Sequence, residues 1–391
     1  MYSTLDDLKV EGKRVLVRLD LNVPMKDGRV ADFSRIERQA PTVKELAEKG
    51  ARVIVLAHFD RPGGKVVPSM SLKPTVVPFA ASIGRFVAFA EDCIGEKTAA
   101  AVAAMKNGDV LILENTRFHK GEEKNDADFA KALAALGDIY VNDAFSVAHR
   151  ANASTEAIAH LLPCAAGRSM ESELSHLSKA LESPARPLMA VVGGAKISTK
   201  IDLLRNLADK VDVLAIGGAM ANTFLAAKGF QVGKSLYEQD QRETALSILS
   251  EKIMLPSDLV VAEEFKPNAP HRIVGLDDVT QYEMILDVGP RTIQAFGKKL
   301  RQMKTVVWNG PFGAFETPPF DRGTVAAAKA VAEATRDGLL LSVAGGGDTV
   351  AALNHAGVAA DFSYVSTAGG AFLEWLEGRV LPGVAALERA N

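Results

Sequence analysis

The stretch Ser342-Val-Ala-Gly-Gly-Gly-Asp-Thr-Val350 brings together three glycines and a carboxylate. It follows the short apolar run Leu339–Val343 and precedes Thr349-Val-Ala-Ala-Leu-Asn-His355, whose composition is helical. A buried strand therefore turns into a helix here. Helix N-termini offer unpaired N–H groups and a partial positive charge, and glycine lets a phosphate reach bare backbone. Gly345, Gly346, Gly347 and Thr349 would then line a phosphate site, with Asp348 placed for a metal ion. The competing reading is an ordinary tight turn in which Asp348 caps the helix.

Other strand ends carry chemistry too. In the first half of the chain these ends are rich in cations and amides. Val15–Leu19 leads to Asp20 and Asn22, Arg52–Ala57 to His58 and Arg61, Val110–Leu113 to Asn115 and Arg117, and Ile139–Val141 to Asp143 and Arg150. Arg35 opens the helix after the first of these loops. A lone arginine is usually solvated surface. Several on one edge suit a small, multiply charged anion, because guanidinium forks match carboxylate and phosphate oxygens in pairs.

In the second half the strand ends carry glycine. Leu188–Val192 runs into Gly193-Gly-Ala-Lys-Ile-Ser-Thr-Lys200, Val211–Ile216 into Gly217-Gly218, Thr305–Trp308 into Asn309-Gly-Pro-Phe-Gly313, and Phe362–Val365 into Ser366-Thr-Ala-Gly-Gly370. Such turns on one edge point to backbone lying close to an extended phosphate-bearing ligand. Lys196 and Lys200 are expected on the first turn of a helix, where a cation opposes the dipole unless an anion is near. Gly229-Phe-Gln-Val-Gly-Lys-Ser235 is one residue too short between its glycines for a P-loop and follows a helical stretch. No Gly-x-Gly-x-x-Gly follows a strand, and no cysteine and histidine spacing fits zinc.

The elements that must position these residues alternate. Amphipathic stretches Ser34–Lys49, Asp126–Leu136, Ile197–Lys210, Gln239–Met254 and Thr324–Thr335 separate the apolar runs, which predicts parallel sheets covered by helices on both faces. With 391 residues, two domains are expected. The division falls at Pro163–Pro187, where Leu174, Leu177 and Leu181 share a helical stripe. The fold class is α/β: two doubly wound parallel-sheet domains facing each other across a cleft and joined by a helix.

With 45 basic against 48 acidic residues, a broad nucleic-acid footprint is not expected. Charges fill the first thirty residues, so no signal peptide is read there, and no apolar run approaches the roughly 18 residues of a membrane span. Cys93 and Cys164 are too few for a disulfide framework and suit a reducing compartment. A cytoplasmic protein without membrane partners follows.

Across nearly its whole length the chain resembles phosphoglycerate kinases. The marks are Arg18-Leu-Asp-Leu-Asn-Val-Pro24, His58-Phe-Asp-Arg-Pro62, Glu114-Asn-Thr-Arg-Phe118, Asp143–Arg150, Gly193–Lys200, Trp308–Glu316, Gly345–Thr349 and a tail holding Leu381-Pro-Gly383, all in family order. The resemblance implies reversible, magnesium-dependent transfer of the acyl phosphate of 1,3-bisphosphoglycerate to ADP, giving 3-phosphoglycerate and ATP. It implies phosphoglycerate on Asp20, Asn22, Arg35, His58, Arg61, Arg117 and Arg150. Nucleotide would lie on Lys196, Lys200, Glu316 and Gly345–Thr349, with Glu316 at the ribose and Asp348 on the metal. Arg35 and Lys200 would be catalytic. The implied domains are 1–168 for phosphoglycerate, a hinge at 169–186, and 187–377 for nucleotide, with a tail from about 378 to 391 returning to the first domain. A hinge-bending monomer is expected.

Some positions depart from the family pattern. Phe59 and Asp60 replace Leu and Gly, Ser146 and Val147 replace Gly and Thr, Ala368 replaces a glycine, and Thr116 stands where a hydrophobic residue is usual. An NAD-dependent dehydrogenase and an inactive binding protein are the rivals. The missing dinucleotide pattern opposes the first, and retention of Arg35, Lys200 and Asp348 opposes the second.

Overall fold

A computed structural model of the chain describes residues 2–388. Met1 and residues 389–391 of the expected domain ranges lie outside the described residues. The chain divides into two compact units. One runs up to Leu174 and resumes at Val380, and the other is the continuous stretch Ser175–Arg379.

The first unit is built on a six-stranded parallel sheet in the order Val87–Ala90, Val110–Leu113, Arg52–Leu56, Arg14–Arg18, Ile139–Asn142, Cys164–Ala166. Its central strands read Arg-Val-Leu-Val-Arg and Arg-Val-Ile-Val-Leu, and their side chains are buried on both faces, as helices on each side require. Val15, Val17, Val53 and Val55 pack against Ile36, Val43 and Leu46 of the helix Ser34–Glu48. Each such side chain contributes about 1.5–3 kcal/mol through burial. The edge strands Val87–Ala90 and Cys164–Ala166 were not expected. Both are short and rich in alanine, so little marks them in the sequence.

The second unit has its own six-stranded parallel sheet, ordered Ile253–Met254, Val213–Ile216, Leu188–Val192, Thr305–Asn309, Leu341–Gly345, Tyr364–Ser366. Trp308, Phe296 and Phe312 form an aromatic cluster beneath it. The apolar runs Leu259–Ala262 and Met284–Val288 also suit parallel strands by alternation, yet Asp258–Ala262 and Met284–Val288 form an antiparallel sheet with His271–Gly275. The connection from Ala262 to His271 is too short for a crossover helix, so His271–Gly275 returns antiparallel beside Asp258–Ala262.

The predicted connector is one helical run. Arg168–Leu177 continues directly into a π-helical turn at Ser178–Glu182, and the two units divide within it. The returning tail packs on the first unit. Gly383 N–H donates to Ala148 O at 2.8 Å, Leu381 and Leu387 are buried, and Glu388 bridges to Tyr2. Among the described residues no helix is long and apolar enough to cross a membrane.

Candidate active site

Because each central sheet is parallel, its carboxyl-end loops gather on one edge, where ligands of open α/β sheets collect. In the first unit these loops interlock. Arg35 Nη1 donates to Asp20 Oδ2 at 3.0 Å and to Asn22 O at 2.7 Å. Asn22 Oδ1 accepts from Asp60 N–H at 3.0 Å, and Arg117 Nη1 donates to Asp60 O at 2.8 Å. Asp20, Asn22, Arg35 and Arg117 thus form one bonded group, with the Asp60 backbone as its link.

Arg18 ends the first strand fully buried, and its Nη2 lies 3.0 Å from His58 Nδ1. Burial, and then the charges of Arg18, Arg117, Arg150 and Arg35, hold the His58 imidazole well below its usual range. The ring is neutral at pH 7. Arg150 is exposed and acts on both His58 and Arg117 electrostatically. Arg61 is exposed, and no hydrogen bond or ion pair ties it to this group.

Several departures from the family pattern fall here. Ser146 Oγ donates to Asp20 Oδ2 at 2.5 Å. Thr116 Oγ1 donates to Glu122 Oε1 at 3.1 Å, so a buried hydroxyl meets a buried carboxylate where a hydrophobic side chain would leave that oxygen less satisfied. Asp60 holds φ +52°, a left-handed conformation natural to the glycine it replaces. Phe59 and Val147 are buried; in the second unit, Ala368 N–H donates to Ser366 Oγ.

In the second unit the helix Gly347–His355 starts from Gly346, so Asp348 lies in the first turn and is not the cap. Its carboxylate is exposed and has no ion pair. Gly346 has φ +96°, and a Cβ there would lie 2.5 Å from Asn309 Nδ2. A side chain at Gly193 would collide with Pro311 O. Backbone fills the space where these turns meet, so a side chain at Gly193 or Gly346 would clash with it.

Lys200 Nζ donates to Gly193 O at 2.6 Å and to Asn309 Oδ1 at 2.7 Å. Both partners are neutral. Burial lowers its pKa from the ordinary 10.5 to about 8, with Asp348 opposing the shift. Lys200 is the N-cap of Ile201–Lys210. Lys196 lies in the preceding loop, not on the first turn as expected, because Gly193–Lys200 packs as turns before the helix starts. It is exposed, and its side chain joins none of these groups. Thr349 Oγ1 accepts from Gly310 N–H at 2.7 Å, fastening the two glycine turns together.

Beside these turns opens a cavity of about 470 Å³, walled by Leu236, Phe265, Phe315 and Gly218 with Glu316 and Asp348 at its polar side. Asp287 also lines it, buried, with each oxygen accepting a backbone N–H, from Val288 and from Gly323. Asn309, Asp287 and Arg18 carry structural weight at the sites that sequence reading did not assign. Arg18 and Asn309 were marked only by being polar residues at the ends of apolar strands.

A family model described as phosphoglycerate kinase matches residues 5–379. The phosphoglycerate kinase of Methylobacterium radiotolerans is 63% identical over 393 residues, covering 99% of this chain and 98% of that protein. That of Rhizobium meliloti is 61% identical, covering 100% of both. Among solved structures, phosphoglycerate kinase from Coxiella burnetii superposes with TM-score 0.93 at 43% identity over 99% of each chain. That from Pyrococcus horikoshii gives 0.80 at 31% identity, covering 99% of this chain and 98% of that one.

Proposed function

Since the chain belongs to the phosphoglycerate kinase family, we propose that its first unit takes the phosphoglycerate and its second the nucleotide. The reaction is that of a glycolytic phosphotransferase, in which a phosphoryl group passes between 1,3-bisphosphoglycerate and ADP, with 3-phosphoglycerate and ATP as the other pair. The observation that carries the placement is Lys200. It is a cation held in a sheltered spot by two neutral oxygens, beside the glycine turns at Gly193 and Gly346. An anionic phosphate supplies the counter-charge that this arrangement lacks.

On the first unit, Arg35, Arg117, Arg150 and Arg61 would meet the phosphate and carboxylate of the substrate. Asp20 and Asn22 orient the Arg35 fork, and His58 donates to substrate oxygen. On the second, the apolar walls of the cavity suit a purine ring, with Glu316 toward the ribose. Lys196 is exposed and available to a phosphate tail.

The acceptor in the ATP-consuming direction is a carboxylate already ionised at neutral pH, so no general base is required. The chain's contribution is alignment and charge. On the second unit, Lys200 and the helix-end N–H groups at Gly346–Asp348 would stabilise charge on the transferring oxygens, while Arg35 on the first would hold the phosphoglycerate. Asp348 fits magnesium, since it offers a hard, exposed carboxylate with no ion pair, beside the proposed phosphate site. A magnesium ion held by Asp348 would supply charge neutralisation at the phosphates. A monomer working in the cytoplasm completes the proposal.

A coupled assay with ATP, magnesium and 3-phosphoglycerate, following the acyl phosphate, tests it. Turnover dependent on all three is expected, and folded protein without turnover above background would sink it.

A further inference from the structure

The buried arginine beneath the first-unit site belongs to a connected chain of polar groups that ends on His58. Glu122 is fully buried. Its Oε1 accepts from Ser154 Oγ at 2.5 Å and from Thr116 Oγ1 at 3.1 Å, and its Oε2 accepts from Ser154 N–H at 3.0 Å. Ser154 has spent its one hydroxyl proton on Glu122, so its oxygen faces Arg18 as an acceptor, and Arg18 Nε donates to it at 2.8 Å. Arg18 Nη1 donates to Leu19 O, and Nη2 faces His58 Nδ1 at 3.0 Å.

The direction of the last bond is not free. A guanidinium has five N–H donors and no acceptor, so His58 Nδ1 must accept. The ring proton then sits on Nε2, and no protein acceptor lies against that atom among the described residues. We propose that Arg18, anchored through Ser154 to Glu122, is a positioning residue that locks His58 as the Nε2–H tautomer and so aims one fixed donor at an anionic substrate oxygen. This rests on reading His58 as a phosphoglycerate ligand.

The lock has a physical purpose. An unconstrained imidazole divides its population between two tautomers and, below about pH 6.5, an imidazolium. The charged groups acting on His58 are Arg18, Arg117, Arg150 and Arg35, and with burial they all disfavour the imidazolium. Glu122 gives Arg18 its counter-charge through the Ser154 hydroxyl at Nε, whereas His58 faces Nη2. The carboxylate therefore holds the arginine without competing for the ring.

The test uses the full chain and four variants: His58→Ala, Arg18→Met, Arg18→Lys and Ser154→Ala. Long-range proton–nitrogen NMR correlations report the His58 ring state, and steady-state kinetics report KM for 3-phosphoglycerate and for ATP. In the parent, His58 should be the Nε2–H tautomer from pH 6 to 8. Arg18→Met should give a ring that populates both tautomers and titrates in that range. Its KM for 3-phosphoglycerate should rise about tenfold at pH 8, the scale of one hydrogen bond to a charged group, and recover partly toward pH 6 as an imidazolium forms. KM for ATP should stay within about twofold, since the nucleotide makes no such bond. Arg18→Lys, which keeps a donor, should retain part of the lock. If Arg18→Met does not fold, Ser154→Ala, which releases Arg18 while leaving its charge, should show the same changes in weaker form. A ring that stays Nε2–H with unchanged KM in either folded variant overturns the proposal. Should His58→Ala leave the KM for 3-phosphoglycerate unchanged, the ligand reading fails instead, and the tautomer spectra still decide the lock.

Discussion

Lys200 and Asn309 are joined by a 2.7 Å hydrogen bond from ammonium to amide oxygen, and the amide nitrogen of Asn309 donates in turn to Gly345 O at 2.8 Å. One side chain therefore fixes both the sheltered Lys200 ammonium and the Gly345 turn beside it. Lys200→Ala is expected to lower kcat at least about a hundredfold, the scale seen when one preorganised donor to developing charge is lost. KM for 3-phosphoglycerate should change far less. A loss under about threefold would transfer the role to Lys196 or another residue.

The lowered pKa of Lys200 sets a basic limit. In the free enzyme it loses its proton around pH 8, so kcat/KM for ATP should fall above that pH, and Lys200→Arg should abolish this limb. The stability linkage has a definite sign. Between about 8 and the ordinary 10.5 the unfolded chain binds the extra proton, so the stability contributed by this site rises across that window. Below it the cost of sheltering an ammonium is fully present. Unfolding midpoints of the parent and of Lys200→Met, compared from pH 7 to 10, check this, and a constant difference would contradict it.

Asp287 is held by two N–H donors, from Gly323 at 2.7 Å and Val288 at 2.8 Å. An amide has one acceptor, so Asp287→Asn turns an NH2 toward an N–H and should cost about 1–3 kcal/mol. Urea unfolding reads it directly. Burial raises this carboxyl to about 7, and its N–H partners oppose the shift. The native state therefore binds more protons than the unfolded one between the usual carboxylate range and 7, and its stability contribution should decline as pH rises through that interval.

Asp60 bolts Asn22 and Arg117 through its backbone, while its carboxylate is exposed without an ion pair. Asp60→Gly should keep the backbone geometry, because φ +52° suits glycine. Removing the charge should lower KM for 3-phosphoglycerate by about twofold or less at low salt, and the effect should vanish by roughly 0.15 M, where screening is short-ranged. An unchanged KM at low salt would mean that the carboxylate points away from the ligand.

The parallel sheets and the loops at their carboxyl ends were legible because runs such as Val53–Ala57 and Leu188–Val192 are continuously apolar and end abruptly in polar or glycine residues. The antiparallel sheet around Asp258–Ala262 was not, since its strands have the same composition and pairing direction depends on connection length. Lys196 and Lys200 looked alike in sequence. Only the packing of the Gly193–Lys200 turns separates a sheltered ammonium from an exposed one. Nothing local in the sequence joins Arg18, Ser154 and Glu122, which meet only when strand, loop and helix have been assembled.

The packing of Gly383 on Ala148 bears on biosynthesis. The second unit is one uninterrupted stretch and can finish folding as soon as Arg379 clears the ribosome. The first is translated ahead of it yet lacks its closing contacts, Leu381 and Leu387 among them, until the segment after Arg379 emerges. Synthesis order and completion order are therefore reversed in this chain: the unit made first is sealed last.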